Sequence, residues 1–190
     1  FGDVSPDGTR IAVASARNGA AMDIFVINRD GSGLRQLTNN PAIDSSPRWS
    51  PTGTQLAFVS DRSGTPRIYT MSADGGQVTL VPTACGRCDP PTWGPAQTGM
   101  LLAYTSQTGP AVHDIELYDF GAPAESRIRR LTNGEGTNES PSFSPNGRHV
   151  VFFTTRWGKA QLAIVDIDGK NVRRLTELGD NTYPSWSGYR

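Results

Sequence analysis

Two cysteines are the most reactive side chains of the sequence, and they stand in the run Cys85-Gly86-Arg87-Cys88. Cysteines at this spacing can form a disulfide, bind a metal ion or act as a redox pair. Zinc needs four ligands, and neither His113 nor His149 stands at a ligand spacing from this run. A covalent haem needs histidine where the chain has Asp89. We predict no metal or cofactor and favour a disulfide between Cys85 and Cys88 in an oxidising compartment, with two inert thiols or a reactive pair as alternatives.

The sequence offers little for nucleophilic catalysis. It lacks the Gly-x-Ser-x-Gly motif of a hydrolase and has only two histidines. We expect His113 in an irregular, solvated loop and His149 at a strand edge. The glycines are accounted for by turns, so none is assigned to a phosphate-binding loop. We therefore predict that the chain is not an enzyme.

Short polar residues recur at intervals of about one repeat along the chain. Their oxygens can hold a cation or accept hydrogen bonds from a protein partner. The alternative is that they cap the loops in which they lie. Which role applies depends on the elements that position them. The residues of this set are Asp44, Asp89, Asn138 with Glu139, and Asn181.

Composition excludes several functional classes. The chain has 18 basic and 18 acidic residues, so no cationic surplus is present to neutralise the phosphates of a nucleic acid. Its apolar runs are far shorter than the ~18 residues of a membrane span, so we expect contact with a membrane only through a partner. The 21 glycines and 14 prolines indicate many turns and few long helices.

The chain repeats one pattern. Ser-Pro-x-Gly begins at Ser5, Ser50 and Ser144, a degraded copy begins at Gly94, and a final half-copy is Trp186-Ser187-Gly188. Each turn is followed by a fully apolar run, which is typical of a strand buried on both faces. These apolar runs cover residues 11–15, 56–60, 102–106 and 150–154.

Two further strands complete each repeat. A hairpin turn leads to a third strand, predicted over 24–27, 68–71, 115–118 and 162–165. The fourth strand is short and charged, as in Arg-x-Leu-Thr at 35–38, 129–132 and 173–176. Charge of this kind protects an exposed sheet edge from pairing with other chains.

The repeat predicts an all-β fold of four-stranded antiparallel meanders that act as β-propeller blades. A single sheet cannot cover two apolar faces, whereas neighbours packed around an axis cover each other. The predicted units are 1–43, 44–88, 89–137 and 138–182, with a closing strand at 183–190. We expect that strand to complete a blade lying upstream of Phe1. The recurrent polar residues would then ring the entrance to a central channel.

The repeats resemble those of the TolB family, periplasmic six-bladed propellers of the Tol–Pal envelope system. The resemblance lies in the turn at 49–53, the hairpin at 60–64, the strand and turn at 68–76, the Arg-x-Leu-Thr endings and the terminal 184–190. It covers essentially the whole chain, matched to the last four blades. It implies two more blades, a small α/β domain and a secretory leader upstream.

By resemblance, the chain is a periplasmic, non-enzymatic scaffold that binds a Pal-type lipoprotein. The loops at 39–44 and 134–138 are the expected contacts. Two alternatives stay open, namely an accessory propeller subunit of another envelope complex and the gating propeller of a prolyl-oligopeptidase-like peptidase. A hydrolase domain encoded after residue 190 would identify the latter.

Overall fold

A computed structural model describes residues 2–19 and 21–186. Strands joined by turns and loops make up these residues, apart from two 3₁₀ helices at Ala96–Thr98 and Ala124–Ser126. The chain divides into two compact units, Phe1–Pro82 and Thr83–Arg190. Each unit contains two antiparallel sheets.

The first unit holds the first and second sheets, both simple meanders in which each strand pairs with the next. The first sheet consists of β1 (Gly2–Val4), β2 (Arg10–Ser15), β3 (Asp23–Asn28) and β4 (Arg35–Gln36). The second consists of β5 (Asp44–Trp49), β6 (Gln55–Ser60), β7 (Arg67–Ser72) and β8 (Thr79–Leu80).

The second unit holds the third and fourth sheets, and the third has a broken first strand. The third consists of β9 (Arg87–Cys88), β10 (Thr92–Trp93), β11 (Leu101–Gly109), β12 (Val112–Asp119) and β13 (Ile128–Arg130). Both β9 and β10 pair with β11. The fourth sheet consists of β14 (Asn138–Phe143), β15 (His149–Thr154), β16 (Gln161–Asp166) and β17 (Arg173–Arg174).

The repeated Ser-Pro-x-Gly turn joins the first strand of a sheet to the second. The hydroxyls of Ser5, Ser50 and Ser144 accept the backbone N–H of the residue five positions later, at 2.9, 3.1 and 3.0 Å. The glycine of the fourth-sheet turn, Gly147, has φ of 66°, a conformation that costs glycine little. The motif is therefore repeated because both residue types are needed to form this turn.

Apolar side chains from the two sheets of a unit form one core. In the first unit, Trp49, Phe58 and Met71 of the second sheet pack with residues of the first sheet. In the second unit, Phe143 and Phe152 of the fourth sheet pack with residues of the third. Trp49 and Phe143, the aromatic residues before the turns of the second and fourth sheets, are thus buried between sheets.

Two sequence-based boundaries can be compared with the observed elements. The third sheet already begins at β9, so Arg87 and Cys88 belong to it rather than to the preceding repeat. Residues 181–186 form no strand, and 187–190 lie outside the described residues. The closing strand over 183–190 therefore stays a prediction.

Candidate functional site

One polar position recurs where the first strand of a sheet begins, and we call it the anchor position. It lies five residues before the buried aromatic and pairs with the end of the second strand. Asp44 pairs there with Ser60, and Asn138 pairs with Thr154. Cys88 holds the same place in the third sheet, opposite Ser106.

Asp44 is fully buried, and both of its carboxylate oxygens are occupied. Nη2 of Arg62 lies 3.0 and 2.9 Å from the two oxygens, and the side-chain amide of Asn40 donates to one of them at 2.7 Å. The guanidinium also lies over the rings of Phe58 and Tyr69, at 5.4 and 4.9 Å. Because these contacts engage both oxygens, the loop-capping role accounts for Asp44.

Asn138 has the same role with a neutral side chain. It is fully buried, its Oδ1 accepts Nη2 of Arg156 at 3.3 Å, and its amide lies within 3.4 Å of four oxygens. One of these oxygens is the backbone carbonyl of His113, and another is the carboxylate of Asp114. Asn138 thereby connects the third sheet to the loop that enters the fourth.

Asp89 does not occupy the anchor position, because Cys88 is there instead. Asp89 lies one residue later, partly exposed, with an ion-pair distance of 3.7 Å to Nε of Arg87. Cys88 is completely buried and forms a disulfide with Cys85. The sequence pattern identified a polar residue near this point, but strand pairing shows which residue is equivalent to Asp44.

Proline explains why this first strand is broken. Ser46 and Ser140, three residues before the aromatic, have φ of 53° and 55°, and each lies in a register shift of its strand. Pro90 has this place in the third sheet. Its ring restricts φ to about −65°, so it cannot form the same bulge. The strand therefore ends at β9 and resumes at β10.

Accessible polar groups gather at the start of the fourth sheet. Glu139 follows Asn138, and its carboxylate contacts Nδ1 of His113. Both side chains are partly exposed, at 28% and 22%. The prediction of an irregular loop for His113 was wrong, because His113 lies in β12 and its ring is held by this carboxylate.

Trp157 extends this group of side chains at the neighbouring hairpin. Arg156 lies 3.3 Å from Glu135 and 5.6 Å from the Trp157 ring, and Arg174 lies 5.2 Å from the same ring. Nε and Nη2 of Arg174 donate to backbone carbonyls, which fixes its guanidinium. We call His113, Glu135, Glu139, Arg156 and Trp157 the polar cluster.

The polar cluster was only partly found from the sequence. The sequence predicts its loop, 134–138, and Glu139, whereas the sequence pattern marks the position of Trp157 only as a hairpin turn. A signal was available, because the equivalent turn position holds Asn18 in the first sheet and Ser63 in the second. Tryptophan is one of the residue types enriched among the hot spots of protein interfaces.

Asn181 lies in the segment that follows the fourth sheet. Its backbone N–H donates to the carbonyl of Ala160 at 2.9 Å, as that of Asp44 donates to Met22 at 2.7 Å. Farther along, the N–H of Trp186 lies 3.4 Å from the hydroxyl of Ser142. This segment thus contacts the fourth sheet as β5 contacts the first.

His149 is the first residue of β15, and its Nδ1 lies 2.7 Å from the Asp166 carboxylate. The side-chain amide of Asn171, and then His149, lower the pKa of Asp166 by hydrogen bonding to the carboxylate. Within residues 2–19 and 21–186, no group of three His, Cys, Asp or Glu side chains is placed to hold a metal ion. In that same part of the chain, no helix has the length and apolar character of a membrane span.

The sequence model of a protein family, described as the TolB β-propeller domain, matches residues 3–190 of this chain. The chain is 36% identical over 166 residues to a TolB homologue of Chlorobium luteolum, covering 87% of this chain and 36% of that protein. It is 34% identical over 168 residues to the Tol–Pal system protein TolB of Bordetella pertussis, covering 87% of this chain and 37% of the relative.

Solved structures show the same similarity. The crystal structure of TolB from Acinetobacter baumannii superposes with a TM-score of 0.81 at 26% identity, covering 97% of this chain and 45% of that one. The chain therefore spans less than half the length of each of these three proteins.

Proposed function

This chain belongs to the TolB β-propeller family, and we propose that it is a non-enzymatic, protein-binding part of a periplasmic Tol–Pal system. Its sheets are propeller blades, which confirms the predicted fold class. The similarity to a relative named as a Tol–Pal system protein is the observation that carries the proposal. The proposed partner is a Pal-type lipoprotein, through which the chain would contact a membrane indirectly.

We place the partner-binding surface at the polar cluster. Asp44 and Asn138, which the sequence suggested for partner contact, are buried and hydrogen-bonded, so they support the loops from inside. Trp157, by contrast, is 39% exposed, and Glu135 is more exposed still. Tryptophan and arginine are enriched among residues that dominate binding energy, particularly where they are held rigidly.

Fixed geometry favours this surface over the rest of the fourth sheet. Arg156 is bonded to Asn138 and Glu135, and Arg174 is bonded to two backbone carbonyls, so the cations around Trp157 are already ordered. Binding then costs little side-chain entropy at this point. The charged groups around the ring provide the polar rim that such an aromatic contact needs.

The test is calorimetric titration of the full-length protein with the soluble domain of the Pal-type lipoprotein from the same organism. We expect Trp157→Ala to weaken binding by tenfold or more and Glu139→Gln to weaken it less. Lys170→Ala is the matched control, because this exposed lysine lies in the turn at the other end of the same sheet. It should leave affinity unchanged within about twofold.

Four results would count against parts of the proposal. Full-length protein that does not bind the lipoprotein would reject the partner, and capture of a different envelope complex would favour the accessory-subunit alternative. Binding that is equally strong in all three variants would reject the polar cluster as the surface. Hydrolysis of a peptide substrate by the full-length protein would contradict the non-enzymatic role.

A further inference from the structure

The anchor position is filled in two chemically different ways. In the second and fourth sheets, a polar residue there is bonded to an arginine, as in Asp44 with Arg62 and Asn138 with Arg156. In the third sheet the position holds Cys88, which is bonded to Cys85. All three anchor residues are fully buried.

The third sheet lacks an arginine at the position that pairs with the anchor residue in the second and fourth sheets. Arg62 and Arg156 lie two residues after the strand residue that faces the anchor, Ser60 and Thr154 respectively. In the third sheet that facing residue is Ser106, and the residue two positions later is Thr108. A threonine side chain is too short to form the contact that arginine forms, so the polar pair is lost as a whole.

Hydrogen bonds also hold the segment around Cys88. β9 contains two residues, and beside it the N–H groups of Gly86 and Asp89 donate to the carbonyls of Gln107 and Thr105, both at 3.1 Å. The hydroxyl of Thr83 lies 3.1 and 3.3 Å from the two sulfurs. This strand has only two residues, and the link to Cys85 adds a covalent restraint to these hydrogen bonds.

We infer that the Cys85–Cys88 disulfide replaces the anchor–arginine pair, which makes the entrance to the third sheet a thiol–disulfide exchange site. The bond forms when the two thiols react with the disulfide of a donor. A sulfur–sulfur bond forms in the protein, the donor disulfide becomes two thiols, and two electrons and two protons pass to the donor. The matching partner class is a dithiol–disulfide oxidoreductase.

Burial determines when this exchange occurs. Cys88 is fully buried and Cys85 is 2% exposed, so a donor or reductant needs the segment 83–91 to open first. The disulfide therefore forms before this segment closes over β11 or while it closes. Once it has formed, thiols in solution reach it only when the segment opens again.

The first test measures amide hydrogen exchange in the full-length protein, oxidised and after reduction with dithiothreitol. Dithiothreitol is a dithiol that is oxidised to a cyclic disulfide as it reduces the protein. A mass gain of two hydrogens in the protein confirms the reduction. We expect exchange in 83–91 to rise about tenfold or more, with no change at 39–46 or 134–140, where arginine pairs remain. Unchanged exchange in 83–91 after confirmed reduction would overturn the inference.

A second test restores the polar pair. Cys85→Ala with Cys88→Ala should exchange like the reduced protein. Cys85→Ala, Cys88→Asp and Thr108→Arg together should return 83–91 to within about threefold of the oxidised protein and remove the effect of dithiothreitol. If the alanine pair leaves exchange at the oxidised level, the disulfide does not restrain the segment and the inference fails. Neither test depends on the proposed partner.

Discussion

Trp49 is bonded to Asp3 through both its backbone and its side chain. Its amide N–H donates to a carboxylate oxygen at 2.7 Å, and its indole N–H donates to the Asp3 carbonyl at 3.2 Å. These bonds join the first strands of the two sheets in the first unit, directly beside their shared core. The carboxylate of Asp3 is therefore held in a place with little water.

Replacing Asp3 should change how stability depends on pH. Burial raises the pKa of Asp3 above its usual 3.8, and the Trp49 N–H and Arg48 only partly offset this. A raised pKa in the folded state gives a stabilisation that is complete below about pH 4 and lost as pH rises through the folded value. We expect Asp3→Asn to raise the free energy of unfolding at neutral pH and not near pH 3, measured by urea denaturation.

The aspartate of the first turn should show the opposite pH dependence. Hydrogen bonds from the Ser5 hydroxyl, and then from the Thr9 N–H and hydroxyl, lower the pKa of Asp7 to about 2. A lowered pKa in the folded state gives a stabilisation that is present above about pH 4 and lost as pH falls toward 2. We expect Asp7→Asn to destabilise at neutral pH, with a difference that shrinks between pH 4 and 2 in acid titrations.

The fourth sheet provides a natural control for Asp7. Asn146 takes the same place in that turn, where its Oδ1 accepts the Ser144 hydroxyl and the Arg148 N–H at 2.7 and 3.0 Å. Asp7→Asn should therefore fold normally, and Asn146→Asp should gain the acid dependence that Asp7→Asn loses. An Asp7→Asn difference that stays constant down to pH 2 would contradict the assignment.

Gly136 should be far less tolerant of substitution than another glycine with positive φ. Its φ is 72°, and an added Cβ would lie 2.5 Å from the backbone nitrogen of Arg156. Gly158, with φ of 99°, would place a Cβ in open space. We expect Gly158→Ala to cost about 1 kcal/mol from backbone strain and Gly136→Ala to cost about 3 kcal/mol, measured by denaturant unfolding. Equal losses would show that the loop at 134–138 shifts freely.

Variants of Asp44 test how much the anchor position contributes to stability. Removing one partner of a buried pair typically costs about 3–5 kcal/mol, and the partial exposure of Arg62 lowers the expectation for Asp44→Ala to about 2 kcal/mol. Asp44→Asn copies the pairing of Asn138 with Arg156 and should cost less than half of that. A double-mutant cycle with Arg62→Met measures the coupling. A coupling near zero would mean that Arg62 contributes only its contacts with Phe58 and Tyr69.

Local chemistry explains which features could be predicted from the sequence. Ser5 and Gly8, with their copies, specify a turn by bonds within a few residues, so the pattern shows directly in the chain. Apolar runs such as that containing Phe58 must be buried on both faces, which predicts sheets packed against sheets. The polar fourth strands likewise mark exposed edges.

The features that the sequence did not predict depend on contacts between residues that are far apart in the chain. The sequence pattern places Asp89 with Asp44 as a polar residue before a first strand, whereas pairing with Ser106 places Cys88 at the anchor position. His113 looked like a loop residue until β12 and the carboxylate of Glu139 placed its ring. Trp157 lies in a hairpin turn, and only the tertiary structure brings Arg174 of another strand over its ring.

The sequence alone determined the repeat, the all-β class and the position of every Ser-Pro-x-Gly turn. These depend on turn chemistry and on fully apolar runs that are followed by short charged ones. Only the tertiary structure decided which polar residues are buried supports and which are accessible. That distinction depends on strand register and on arginines brought in from neighbouring hairpins, and a shift of one residue moves a side chain to the opposite face of the sheet.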